Sequence, residues 1–225
     1  MTTAVLAPTL FRYDPPEGTT ARGLVAVLHG VGSSASVMAP LADRIAHDIP
    51  GLSTVAPEGH ELFDGGHTGR QWFSVSGVTD DNRPARISAA LPALRAVLDR
   101  ELDRAGLDWD RLGVVGFSQG AMMALALAAE ANPPAAVAAI AGRLASPVAG
   151  TAPRRPPVLI LHGAMDAVVP VACAEQAASA LTTAGFSVEV EIATGQGHSL
   201  SHAQTRRITG HLAEAFANVR RDGAA

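Results

Sequence analysis

The 225-residue sequence contains no lysine; every fixed cation is an arginine. A pyridoxal or carbonyl Schiff base needs a lysine amine, and a Walker A loop needs a lysine on its phosphates. Ser-Lys catalysis is excluded by the same absence. Cysteine occurs once, at Cys173. The chain can therefore form no intrachain disulfide and offers no cysteine cluster for zinc or iron–sulfur. Aromatic residues are scarce at 4%, so any local concentration of them is informative. Long apolar runs are also missing. The Ala-rich stretch 121–131 is soon closed by Asn132-Pro133-Pro134, and nothing is long enough to span a bilayer. Residues 1–10 lack the basic head and apolar run of a signal peptide. With a lone cysteine, this suggests a cytoplasmic protein without stable membrane insertion. The formal net charge is −4, with both signs interspersed. Nucleic acid is therefore not expected as a partner, and pairs such as Arg154-Arg155, Arg206-Arg207 and Arg220-Arg221 read as solvated faces. Homo-oligomerisation stays open.

What is present is a globular composition, 48% hydrophobic, of a length that suits one domain over residues 1–225. Short extended segments are expected at residues 4–7 and 10–13, before a turn at Asp14-Pro15-Pro16-Glu17-Gly18. Leu24-Val25-Ala26-Val27-Leu28 is a continuous apolar run, as in a strand buried on both faces. Further strands are expected at 52–56, 112–117, 137–141, 158–161 and 187–192. Helices are expected at 35–47, from Pro84 to Gly106, and at 121–131, 172–183 and 202–219. The stretch 59–83 has neither period and reads as a long loop of functional type. Strands alternating with helices imply an α/β fold, a mostly parallel twisted sheet with helices on both faces. Ligands bind such sheets beyond the carboxyl ends of the strands, which points to the residues after Leu28, Ala56, Phe117, Leu161 and Ile192.

One of those positions carries Gly116-Phe117-Ser118-Gln119-Gly120, a G-x-S-x-G match between a buried strand and an apolar helix. That pattern builds a sharp turn that lifts a serine hydroxyl above the sheet, and its glycines remove colliding Cβ atoms. The following helix turns its positive end toward the site, which favours an oxyanion. A dinucleotide fingerprint is the rival reading of the glycines, but the G-x-G-x-x-G spacing is absent and residues 135–141 hold no acid. In the α/β-hydrolase arrangement the acid follows the serine and a histidine comes last. Between Ser118 and the tail there is one aspartate before the final residues, Asp166, in a loop directly after a strand. Glu175, Glu189 and Glu191 fall within an expected helix or strand. Beyond Asp166 stand His198, His202 and His211; only His198 sits in a glycine loop past the last strand. His202 could join it as an i, i+4 metal pair, yet no H-E-x-x-H pattern or third ligand supports zinc. No metal and no cofactor are expected.

His29-Gly30-Val31-Gly32 follows the first long strand, so the N–H groups of Val31 and Gln119 are the expected oxyanion donors. Within 59–83, Gln71-Trp72-Phe73-Ser74 concentrates aromatic area. Trp72 and Phe73 read as substrate walls or as packing under the loop, and Met165 beside Asp166 as an added wall.

With these residues in place, the chain resembles the phospholipase/carboxylesterase family, in particular its acyl-protein thioesterase-like branch and its small bacterial esterases. The matching stretches are Leu28-His29-Gly30-Val31-Gly32, Gly116-Phe117-Ser118-Gln119-Gly120-Ala121-Met122, His162-Gly163-Ala164-Met165-Asp166 through Pro170, and Gly197-His198. The resemblance implies an α/β-hydrolase fold without a large lid, active on short or medium acyl esters and on thioesters. Small acyl esters are then the expected partners. It departs at Ser33, where thioesterase members usually carry an aspartate. That bears on a protein-depalmitoylating role more than on esterase chemistry. A lysophospholipase and a small peptidase share the same constellation, and a non-catalytic ligand-binding module is the alternative from another class.

Overall fold

The structure, a computed structural model, describes residues 10–66, 68–148 and 154–222. The segment expected at residues 4–7 lies outside them. The central sheet contains seven strands: β1 (Leu10–Tyr13), β2 (Gly23–Leu28), β3 (Leu52–Pro57), β6 (Leu112–Phe117), β7 (Ala136–Ile140), β8 (Val158–Gly163) and β9 (Val188–Ala193). Their order is β1-β3-β2-β6-β7-β8-β9. Every pairing is parallel except that of β1 with β3. The small strands β4 (Glu61–Leu62) and β5 (Arg70–Gln71) form a separate antiparallel pair. Helices α1 (Ala35–Asp48), α2 (Arg83–Ala105), α3 (Gln119–Ala128), α4 (Ala172–Thr183) and α5 (His202–Asp222) complete the fold.

The inner strands are apolar along their whole length because both faces are covered. In β2, Leu24, Ala26 and Leu28 join one core, with α2, α3 and α4. Val25 and Val27 join the other, with α1 and α5. The same period-two division holds in β8, where Val158 and Ile160 face the first core and Leu159 and Leu161 the second. At the edge, β9 shows the contrary pattern: Glu189 is exposed and Glu191 half-buried, and both bind Arg207 of α5. Such charges protect a free strand edge. Helix α2 starts at Asn82 with proline in its first turn and ends at Gly106, whose φ of 65° is the left-handed conformation that a helix terminator needs.

Helix α3 and three short elements differ most from the sequence expectation. Helix α3 stops at Ala128, before the Pro133-Pro134 pair, rather than at Ala131. A 3-10 turn covers Trp109–Arg111. The aperiodic stretch contains β4 and β5, two residues each, too short for any period to register. Among the described residues there is no separate lid domain, and no helix is long and apolar enough to cross a membrane.

The chain runs from β2 outward to β3 on one side, then returns to β6 and proceeds to β9 on the other. The crevice between the carboxyl ends of β2 and β6 is thus the topological switch point, where open α/β sheets bind ligands.

Candidate active site

Ser118 stands at that crevice. Its φ of 53° and ψ of −112° are strained for a residue with a side chain, a conformation that costs on the order of 1–3 kcal/mol and clusters at functional sites. The turn is possible because its flanking glycines are bare. A Cβ on Gly116 would stand 2.2 Å from the Gly120 carbonyl oxygen, and one on Gly120 would stand 2.4 Å from that of Leu28. The Ser118 N–H donates to the Ile140 carbonyl at 2.8 Å, which pins the turn to β7. From β2, a Cβ on Gly30 would lie 3.3 Å from Ser118 Cβ, so the His29-Gly30-Val31-Gly32 turn closes directly on the serine. Neither the Val31 nor the Gln119 N–H has an acceptor among the described residues, and Val31 is partly exposed.

Asp166 follows β8. Its Oδ1 accepts the N–H groups of Val168 and Val169, each at 2.8 Å, and its Oδ2 accepts His198 Nδ1–H at 2.7 Å. Burial alone would raise the Asp166 carboxyl, but the Val169 N–H, the His198 ring and the Val168 N–H together hold it below the ordinary carboxylate value. With its Nδ1 proton committed to Asp166, the His198 imidazole keeps its Nε2 lone pair free. The ring lies against Phe117, 4.9 Å between centroids, beside the serine. Among the described residues, no hydrogen bond joins Ser118 Oγ to the ring. Such bonds often tighten only with substrate bound.

The loop bearing His198 is held from several sides. Gly163 must lack a Cβ because the carbonyl oxygens of Gln196 and Gly197 would lie 2.3 and 2.4 Å from it. The Met165 N–H donates to the Gln196 carbonyl at 2.9 Å. The Gln196 amide donates to Gln204 Oε1 at 2.6 Å, and Gln204 is wholly buried at the start of α5. His162, fully buried in β8, donates from Nε2 to the Val169 carbonyl at 2.9 Å and lies 3.4 Å from Asp166 Oδ2. Neither glutamine carries a sequence signal beyond proximity to His198; that of His162 is its place in the Asp166 stretch. His202 is exposed and His211 is buried in α5, where burial lowers its basicity. Among the described residues, no three His, Cys, Asp or Glu side chains gather as metal ligands.

The expectation that Trp72 and Phe73 wall the substrate is corrected: they are 1% and 4% exposed and belong to the core beneath the site. The reason is the Gln119 side chain, which uses both ends of its amide. Its Oε1 accepts the Trp72 N–H at 2.8 Å, and its Nε2 donates to the Phe73 carbonyl at 2.7 Å. The Trp72 indole N–H donates to the His29 carbonyl at 2.8 Å, with its ring 5.1 Å from that of His29. Both aromatic rings are thereby turned inward. His29 in turn accepts the Gly59 N–H on Nε2 and donates from Nδ1 to the Gly30 carbonyl. That bonding requires the neutral ring, and burial pushes its pKa down accordingly. The segment after β3 is also paired directly to the turn, through Gly32 N–H to Arg70 carbonyl and Arg70 N–H to Ser33 carbonyl, both at 2.8 Å. Met165, by contrast, is 69% exposed next to Asp166.

Comparison with known proteins agrees with this geometry. The profile of the family described as Phospholipase/Carboxylesterase matches residues 16–215. The esterase YpfH of Escherichia coli (strain K12) is 34% identical over 193 residues, 85% of this chain and 82% of that one. An acyl-protein thioesterase 1 homolog of Dictyostelium discoideum is 24% identical over 200 residues, 84% of this chain and 88% of its own. Among solved structures, esterase PE8 superposes with a TM-score of 0.85 at 30% identity, covering 93% of this chain and all of that one.

Proposed function

Because the chain belongs to the phospholipase/carboxylesterase family, we propose that it is a serine carboxylesterase acting as one α/β-hydrolase domain on short and medium acyl esters, with thioesters as a second substrate class. Ser118 Oγ attacks the acyl carbonyl, and His198 Nε2 takes the hydroxyl proton. Asp166 keeps the ring in the tautomer that leaves Nε2 free and stabilises the imidazolium. The N–H groups of Val31 and Gln119 are assigned to the oxyanion, a contribution on the order of 3 kcal/mol per donor. His198 then returns the proton to the leaving group. Water, deprotonated by the same ring, releases the acid from the acyl-enzyme. Met165 is the assigned contact for the substrate. With a single cysteine and no disulfide to form, the enzyme fits the reducing cytoplasm.

The observation that carries this reading is the 2.7 Å bond from His198 to Asp166 beside a serine in a strained positive-φ turn. A fluorophosphonate probe tests it. Wild type labels covalently, Ser118→Ala does not, and a panel of nitrophenyl esters and acyl thioesters of graded length ranks the substrates. Equal labelling of both proteins would remove Ser118 from the mechanism and point to another serine or to a ligand-binding module.

A further inference from the structure

Helices α1 and α5 cover the same face of the sheet. Each begins at the end of the molecule where Ser118 and His198 stand, since α1 follows β2 and α5 follows β9. Between α1, from Val37 to Arg44, and the start of α5 runs a groove of about 650 Å³. On its α1 side lie Val37, Leu41 and Arg44, spaced as one helical face. On its α5 side lie Leu200, two residues beyond His198, and Thr205 and Arg206. Val37 is 63% exposed, whereas Met38, Leu41 and Ile45 of the same helix are buried. No acidic side chain lines the groove.

The two cations have unspent capacity. Arg44 donates through Nε to Asp48 at 2.7 Å, which leaves its terminal amino groups without a partner among the described residues. The Arg206 guanidinium has no carboxylate or carbonyl partner among the described residues. This contrasts with the neighbouring Arg207, held by Glu189 and Glu191. An apolar floor that begins at Leu200, two residues beyond His198, and carries two available guanidinium groups suits a chain with a negative end.

Resting on the esterase reading, we propose that the α1–α5 groove selects esters bearing an anionic group, a carboxylate or phosphate, on the part that extends from Ser118 between Val37 and Leu200. Arg206 and Arg44 pair with that group. The anion belongs either to the acyl half or to the alcohol half, and matched substrates distinguish the two. Monomethyl suberate against dimethyl suberate places it on the acyl side. The butyrate ester of 6-hydroxyhexanoate against that of hexanol places it on the alcohol side.

The measured quantity is the ratio of kcat/KM for the anionic ester to that of its neutral partner. For one of the two pairs, Arg206→Gln together with Arg44→Gln lowers this ratio about tenfold at low ionic strength, equivalent to about 1.4 kcal/mol. High salt lowers the wild-type ratio in the same direction. Equilibrium binding of the same esters to Ser118→Ala, which leaves them intact, gives a readout that does not depend on hydrolysis. Anion-selective binding that the double substitution abolishes supports the groove, even if no ester is cleaved; in that case the esterase reading alone fails. Normal hydrolysis with ratios that the arginine substitutions leave unchanged in both pairs overturns the groove and leaves the esterase standing.

Discussion

At the scale of single residues, the site depends on which proton is already committed. His198 Nδ1–H is bound to Asp166, so replacing the carboxylate by an amide disturbs the tautomer while sparing the shape. Asp166→Asn is expected to lower kcat by on the order of 10⁴, and His198→Ala by on the order of 10⁶, in nitrophenyl ester assays. Glu175→Gln serves as the control, because Glu175 is an exposed residue in the first turn of α4. A loss there comparable to that of Asp166→Asn would mean that the acid is misassigned. Ser118, Asp166 and His198 were legible in the sequence since each sits where a strand gives way to a loop at one rim. The roles of Gln119, Gln196 and Gln204 were not. An amide side chain can bond to any backbone within reach, and nothing in the order of residues says which backbone comes near.

At the scale of elements, a single glutamine of α3 adds two side-chain bonds to the backbone pairing at Arg70 and the His29 bonds that hold the long segment after β3. The Gln119 amide takes the place of a strand neighbour for Trp72 and Phe73. Gln119→Met keeps much of the volume and removes both bonds, leaving two buried backbone groups unpaired at about 1–3 kcal/mol each. Thermal unfolding monitored by calorimetry should show Tm lower by roughly 5–15 °C. An unchanged Tm would show that the segment is held by its other bonds alone. The regular elements followed from periodicity and from Pro and Gly punctuation, with α4 matching its expected limits of 172 and 183. The two-residue strands β4 and β5 did not, because two residues carry no period. The inward turn of Trp72 and Phe73 also escaped the sequence: aromatic residues in a loop bury equally well against substrate or against core.

At the scale of the whole molecule, buried titratable groups set the dependence of stability on pH. Burial is the largest influence on the depressed pKa of His29 and of His211. The native state therefore binds fewer protons there than the unfolded chain once pH falls below the ordinary histidine value. Stability from these two is present above that value and is lost as pH drops toward their folded pKa. Glu101, which binds Arg12 through both carboxylate oxygens and joins β1 to α2, is also depressed: burial would raise it, but Arg12 and Arg104 overcome that. Asp166 behaves likewise. These carboxylates contribute above the ordinary carboxylate value and lose their contribution below it. The midpoint of urea unfolding should accordingly fall from pH 8 to 5.5, and fall again at pH 3.5. His211→Gln should shrink the first step and Glu101→Gln the second; a midpoint that rises on acidification would contradict both assignments. By itself the sequence determined the alternation of strands and helices, the parallel sheet and the three polar residues at its carboxyl rim, because hydrophobic period and chain order act locally and along one dimension. Only the tertiary structure decided that Trp72 and Phe73 face inward, that His29 is neutral, and that Arg44 and Arg206 share one groove. Burial and pairing between residues tens or hundreds of positions apart exist only once the chain has closed on itself.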